Sequence, residues 1–215
     1  MKKIAGLVAF SLLCSSLSLK AQQLTEEQKK AAEWAAELKL NDDASQKRVA
    51  AAIGEHLTKV KEWHNAHAVN ENPGGLNPAT GNALSKLDWE VIYCSQKPES
   101  VRRDLMSVLT AELSPEQVEA VFDQYTIGKV AFTMKGYEAI VPDLTDEERT
   151  EILKQLKQAR SIAIDYKSMK EISAIFEIYK TKCEQYLNSN GRDWRQLFKD
   201  YVNKRNAEKA AQNKK

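Results

Sequence analysis

Leu144-Thr145-Asp146-Glu147-Glu148 stands directly before the most regular apolar spacing in the chain. A hydroxyl at a helix N-cap followed three residues later by Glu or Gln forms a capping box, in which two side chains satisfy backbone N–H groups reciprocally. The five-residue phrase therefore predicts the start of a helix. Apolar or aromatic residues then recur at intervals of four and three, as on one face of an α-helix: Ile152, Leu156, Ala159, Ala163 and Tyr166.

The same phrase occurs twice more, as Leu24-Thr25-Glu26-Glu27-Gln28 and as Leu113-Ser114-Pro115-Glu116-Gln117. Each copy precedes a helical pattern, and apolar spacing of three and four residues dominates most of the chain. We therefore predict an all-α fold, a single irregular helical-bundle domain of about seven to eight helices. The exception is the alternation of Val130, Phe132 and Met134 with period two, which leaves a short extended segment near 128–134 as an open alternative.

The first 21 residues have the pattern of an export signal. Lys2 and Lys3 precede an apolar run that is far shorter than the roughly 20 residues a membrane helix needs. We predict a signal peptide over 1–21, a helical domain over 22–206 and a disordered basic tail over 207–215. The protein is then periplasmic or secreted, with no transmembrane segment. A lipoprotein anchored at Cys14 is the alternative, although Leu13 is larger than the residue that usually precedes such a cleavage site.

Loss of the signal peptide changes the charge balance. The whole chain carries 32 basic and 30 acidic residues, but Lys2, Lys3 and Lys20 leave with the signal, so 29 basic residues face 30 acidic ones. The basic end of the chain could attract an anionic partner, but it is typical of a solvated helix end near the C-terminal dipole. We expect no nucleic-acid partner, and the oligomeric state stays open.

Few residues offer catalytic or metal-binding chemistry. His64 and His67 are spaced i, i+3 and could share a metal, but no Cys or carboxylate lies at ligand spacing to complete the set. Nucleophile elbows, phosphate loops and zinc-protease helices are absent from the sequence. We therefore expect no catalytic residues, no metal and no cofactor. Cys94 and Cys183 both lie on apolar helical stripes, so a disulfide and two free thiols are both open.

The tyrosines are more suggestive of a ligand site. Tyr137 and Tyr166 combine an apolar ring with a polar hydroxyl, the kind of side chain on which sugars stack. Charged residues near them could line a groove or form an ordinary solvated face. The ligand-binding set that we predict on this basis is Lys135, Tyr137, Arg160, Asp165, Tyr166 and Lys170.

Several segments together carry a resemblance to one family: 125–128 (YTIG), 135–137 (KGY), 142–148 (PDLTDEE), 153–163, Tyr179-Lys180, Tyr186-Leu187 and 191–194 (GRDW). On these segments nearly the whole chain resembles the domain-of-unknown-function family numbered 3826, exported helical proteins of gut bacteria that degrade polysaccharides. The resemblance implies a helical fold and suggests sugar binding, and it supplies no catalytic residues. Ile162, Ile164 and Tyr166, around Asp165, depart from the smaller or more polar residues expected in the family.

The five-residue phrase alone also resembles the Leu-Thr-x-x-Gln signature of the Spy-like periplasmic chaperones. We predict an exported, non-catalytic binding or accessory protein whose partner is a glycan or another protein. A Spy-like chaperone that binds unfolded clients is the first alternative, and an unrecognised carbohydrate-active enzyme is the second.

Overall fold

The computed structural model describes residues 23–71, 73–78 and 80–212, and within them the fold is all-α, as predicted. The signal segment 1–21 and Cys14 lie outside these residues. No helix in the described part of the chain is both long and apolar enough to cross a membrane. An isolated antiparallel bridge joins Leu76 to Ala83 in the loop between the second and third helices. The described residues form nine helices: α1 (Glu26–Glu37), α2 (Asp43–Ala66), α3 (Lys86–Ser95), α4 (Glu99–Glu112), α5 (Pro115–Thr126), α6 (Lys129–Ile140), α7 (Asp146–Ala163), α8 (Met169–Ser189) and α9 (Trp194–Gln212).

All three copies of the recurrent phrase begin helices, as predicted. Thr25, Ser114 and Thr145 are the N-caps of α1, α5 and α7, and each forms a full capping box with the residue three positions on. Ser85 and Ser168 do the same for α3 and α8 without the preceding leucine phrase. Capping chemistry is therefore a sufficient explanation of the phrase.

Two hydrophobic clusters fill the bundle. The first lies among α1, α2, α4 and α5 and includes Ile53 and Leu109, both fully buried. The second lies among α3, α6, α7 and α8 and includes Leu156 and Leu187. Ile164, directly after α7, packs into the first cluster although α7 itself packs into the second. The end of α7 is therefore where the two clusters meet.

The alternative of a short extended segment near 128–134 is wrong, because Gly128 is the N-cap of helix α6 and residues 129–134 lie within that helix. Ile127 and Gly128 both adopt left-handed backbone conformations, with φ of 53° and 63°, and this turn separates α5 from α6. Val130 and Met134 are buried one helical turn apart, whereas Phe132 points away from them and is 79% exposed. The period-two alternation is therefore coincidental.

The basic tail also differs from expectation. Helix α9 continues through Gln212, so residues 207–212 are helical rather than disordered. None of the residues of α9 is buried, and the extension consists largely of Ala, Glu, Lys and Gln, which have high intrinsic helix propensity. Residues 213–215 lie outside the described part of the chain.

Candidate functional site

The six predicted ligand-binding residues do not form one site. Lys135 and Tyr137 lie on α6 and line a groove against α8 and α9. Asp165 and Tyr166 line a cavity on the side of α3, α4 and α7. Lys170 is exposed on α8 and lines a third, separate groove.

The sixth residue, Arg160, is a structural ion-pair partner. Its side chain is 3% exposed, and its guanidinium contacts Glu119 and donates a hydrogen bond of 2.6 Å to Asp123 Oδ1. Both carboxylates belong to α5, whereas Arg160 belongs to α7. The residue therefore joins two helices and faces neither the groove nor the cavity.

Asp165 is the centre of a largely buried polar network. Its Oδ1 lies 3.1 Å from His56 Nε2 and 3.6 Å from Lys97 Nζ, and its Oδ2 accepts a hydrogen bond of 3.1 Å from Arg102. Burial alone would raise the pKa of the Asp165 carboxyl, but the hydrogen bond from His56 and the charges of Lys97 and Arg102 outweigh it and lower that pKa. Asp165 is therefore an anion held between two cations.

The network continues inward through His56. Burial lowers the pKa of His56 below its ordinary 6.5, so the imidazole is neutral at pH 7. Because the Asp165 carboxylate can only accept, His56 Nε2 carries the proton, and Nδ1 accepts from the Tyr125 hydroxyl at 3.0 Å. Burial raises the pKa of Tyr125 well above 10, which keeps that hydroxyl protonated as a donor. The chain Tyr125–His56–Asp165 thus has one consistent proton arrangement.

Lys97, Arg102 and Asp165 of this network line a cavity of about 760 Å³, which we call the Asp165 cavity. Lys97, Arg102 and Arg103 contribute three positive charges to its lining, and Asp165 and Glu99 contribute two negative ones. The Lys97 side chain is only 6% exposed. The cavity can hold a small polar molecule, and in its lining Lys97 and Arg102 are already paired with Asp165.

A second polar cluster adjoins this cavity through Cys94, which also lines it. Glu171 Oε1 lies 3.1 Å from both Cys94 Sγ and His64 Nδ1, and these last two atoms are 3.7 Å apart. The three residues come from α2, α3 and α8, and Glu171 is fully buried. Burial and the neighbouring Glu171 raise the pKa of the Cys94 thiol to about 12. The set combines a thiol, an imidazole and a carboxylate at mutual distances that suit metal binding.

The two cysteines do not form the disulfide that the sequence left open. Both are free and buried. Cys94 contacts Glu171, whereas Cys183 Sγ lies 4.0 Å from the carbonyl oxygen of Ile152 in the second hydrophobic cluster. Each thiol therefore has its own, separate environment.

The groove lined by Lys135 and Tyr137 has a different chemistry, and we call it the aromatic groove. Its volume is about 760 Å³, and it lies among α6, α8 and α9. Phe132 and Phe198 are 79% and 48% exposed, and the ring centroids of Trp194 and Phe198 are 6.2 Å apart. Its aromatic residues are Phe132, Tyr137, Phe176, Trp194, Phe198 and Tyr201.

Polar groups surround these rings. Charged side chains of both signs line the groove: Lys129, Lys135, Glu177, Lys180, Glu184 and Arg205. Tyr137 forms part of the floor, with its ring centroid 5.1 Å from that of Trp194 and its hydroxyl donating to the carbonyl of Lys180 at 3.1 Å. Burial raises the pKa of Glu184, with a further contribution from Glu177. The sequence gives no signal that Phe132 and Phe198 line a groove, because their exposure depends on how α6 and α9 are packed.

Comparison with protein families identifies the family of this chain. A family model described as "Protein of unknown function (DUF3826)" matches residues 24–207, and the chain belongs to this family. The family resemblance in the sequence is thereby confirmed. No curated protein matches the chain.

Proposed function

We propose that this member of the DUF3826 family is exported to the periplasm or the cell exterior and binds a carbohydrate in its aromatic groove without transforming it. The observation that carries the proposal is the exposure of Phe132 (79%) and Phe198 (48%) in the same groove as a half-buried Trp194. Large aromatic rings are normally buried on folding, so solvent-exposed rings in a groove suggest a surface for a partner.

The mixture of groups in the groove favours a sugar over a purely apolar ligand. A pyranose ring has C–H faces that stack on aromatic rings and hydroxyls that need hydrogen-bonding groups at the edges. Lys135 and Arg205 offer donors, and Glu184 offers an acceptor. The rings of Phe132, Trp194 and Phe198, with charged groups of both signs in the same groove, meet both requirements.

The alternatives find less support. Within the described residues five capping boxes begin helices, three of them with the leucine phrase, so helix capping accounts for the phrase without a chaperone function. A glycosidase of the common type needs two available carboxylates, one on each side of the glycosidic bond that it cleaves. Glu177, however, is already paired with Lys180 at 2.7 Å, and Asp165 is held between two cations.

Isothermal titration with a panel of neutral and acidic plant oligosaccharides tests the proposal. We expect one or more of them to bind, and F132A and F198A each to weaken the affinity about tenfold, which corresponds to ~1.4 kcal/mol. The matched control is I178A, because Ile178 is an equally apolar residue on α8 that is 51% exposed and does not line the aromatic groove.

Two further measurements separate the alternatives. Absence of heat with every oligosaccharide contradicts sugar binding, and suppression of client aggregation by the same protein then supports a chaperone. Release of reducing ends from any oligosaccharide supports the enzyme. The export part is tested separately by fractionating the native host and measuring the mass of the mature protein, which we expect to begin at Gln22.

A further inference from the structure

We propose that His64, Cys94 and Glu171 form a binding site for one divalent transition-metal ion, with Zn²⁺ as the best match. The proposal is independent of the aromatic groove, because none of the three residues lines it. It concerns the cluster that joins α2, α3 and α8 beside the Asp165 cavity.

The donor atoms already have nearly the spacing that zinc requires. Zn–S, Zn–N and Zn–O bonds of about 2.3, 2.0–2.1 and 2.0–2.2 Å with tetrahedral angles place neighbouring donor atoms roughly 3.3–3.6 Å apart. The observed separations are 3.1 Å from Glu171 Oε1 to His64 Nδ1, 3.1 Å from Glu171 Oε1 to Cys94 Sγ, and 3.7 Å from Cys94 Sγ to His64 Nδ1. Side-chain shifts of a few tenths of an ångström would therefore admit the ion.

The carboxylate is held in place by a second layer of hydrogen bonds. Glu171 Oε2 accepts from the backbone N–H of Ser168 at 2.8 Å and from its hydroxyl at 2.7 Å, in the capping box of α8. These bonds direct Oε1 toward the other two donors. Such outer hydrogen bonds commonly orient the ligands of metal sites.

The chemistry of the three groups is also that of a zinc site. Cysteine sulfur, histidine nitrogen and carboxylate oxygen are the protein ligands of Zn²⁺, and the site is nearly enclosed, with Cys94 5% and Glu171 0% exposed. On binding, the thiol proton of Cys94 is released to solvent and the proton on His64 Nδ1 moves to Nε2, so that a thiolate and a neutral imidazole face the ion. The thiolate and carboxylate together balance its two positive charges.

Three protein ligands leave a fourth coordination position. Cys94 and Tyr166 both line the Asp165 cavity, so a small oxygen ligand or water can reach this position from that side. Three protein ligands with one open position are typical of zinc sites that bind or activate a small molecule. Purely structural zinc sites are normally closed by four protein ligands.

Titration of the purified, chelator-treated protein with Co²⁺ tests the proposal, because a cobalt–thiolate bond gives a charge-transfer band in the near ultraviolet. We expect the band to saturate at one equivalent of Co²⁺ and to disappear when Zn²⁺ is added. C94S should abolish the band, and H64Q and E171Q should each weaken Co²⁺ binding at least tenfold. E171Q is chosen because Gln can still complete the capping box of α8.

Two control variants make the result specific. C183S removes the other buried thiol, and H67Q removes the histidine three residues from His64, whose Nδ1 lies 2.8 Å from the carbonyl of Trp63. Both should bind Co²⁺ like the parent protein. Absence of the band in the parent, persistence of the band in C94S, or equal affinity of H64Q and H67Q would each overturn the proposal. The two histidine variants decide the question even if C94S does not fold.

Discussion

Replacement of Asp165 by Asn should destabilise the protein by about 3 kcal/mol. Removing one partner of a buried ion pair typically costs 3–5 kcal/mol, because the other charge stays buried without compensation. Here Lys97, whose side chain is 6% exposed, loses the carboxylate 3.6 Å away. The lower end of the range applies for two reasons: Asp165 itself is 18% exposed, and Arg102 keeps its hydrogen bonds to the carbonyl and hydroxyl of Ser161 at 2.6 and 2.7 Å.

Urea unfolding at pH 7, followed by tryptophan fluorescence and circular dichroism, measures this loss. D104N is the matched control: Asp104 is 49% exposed and lies 3.4 Å from Lys59, and a surface pair of this kind contributes about 0–1 kcal/mol. The double variant D165N/K97M should recover part of the loss, since it removes the uncompensated ammonium as well. If D165N and D104N agree within about 0.5 kcal/mol, the view of Asp165 as a buried counter-ion is refuted.

Two further predictions follow from the buried titratable groups. Because the pKa of His56 is lowered in the folded state, the unfolded chain binds the proton first, so the free energy of unfolding should fall as the pH drops through about 6.5. In urea titrations at pH 7 and pH 5.5, the free energy of unfolding should change less between the two pH values for H56Q than for H67Q. Equal changes in the two variants would contradict the expectation. Burial raises the pKa of Cys94 to about 12 and that of Cys183 to about 11. Iodoacetamide at pH 8 should therefore label both cysteines only after denaturation, as measured by peptide mass spectrometry. If both cysteines stay unlabelled in urea until a reductant is added, they form a disulfide and the expectation is wrong.

Helix starts could be predicted from the sequence because capping is local. Thr25, Ser114 and Thr145 each interact with a residue three positions away, and that chemistry needs no knowledge of the rest of the fold. The beginning of α6 could not be predicted in the same way. Gly128 makes no side-chain cap, and the helix is defined by the burial of Val130 and Met134 against distant elements.

The six residues of the predicted ligand-binding set do not lie together, for a related reason. Residues chosen by their type and nearness in sequence were distributed by helix packing to separate surfaces. Lys135 and Tyr137 share the aromatic groove, whereas Arg160 pairs with two carboxylates of α5. The groove itself depends on Phe132 and Phe198, which lie 66 positions apart in the chain. Sequence periodicity alone does not indicate that α6 and α9 meet there.

His64 on α2 and His67, which directly follows that helix, show the same limit and bear directly on the metal proposal. The i, i+3 spacing of His64 and His67 suggested a shared ion, yet their ring nitrogens face different partners: His64 Nδ1 faces Glu171, and His67 Nδ1 faces the carbonyl of Trp63 within the same helix. The missing ligands, Cys94 and Glu171, lie 30 and 107 positions from His64, so no ligand spacing could indicate them. A metal site assembled from three helices exists only in the folded protein, so an ion that binds there stabilises the folded state. Zn²⁺ should therefore raise the midpoint of urea unfolding in the parent protein and in H67Q but not in H64Q.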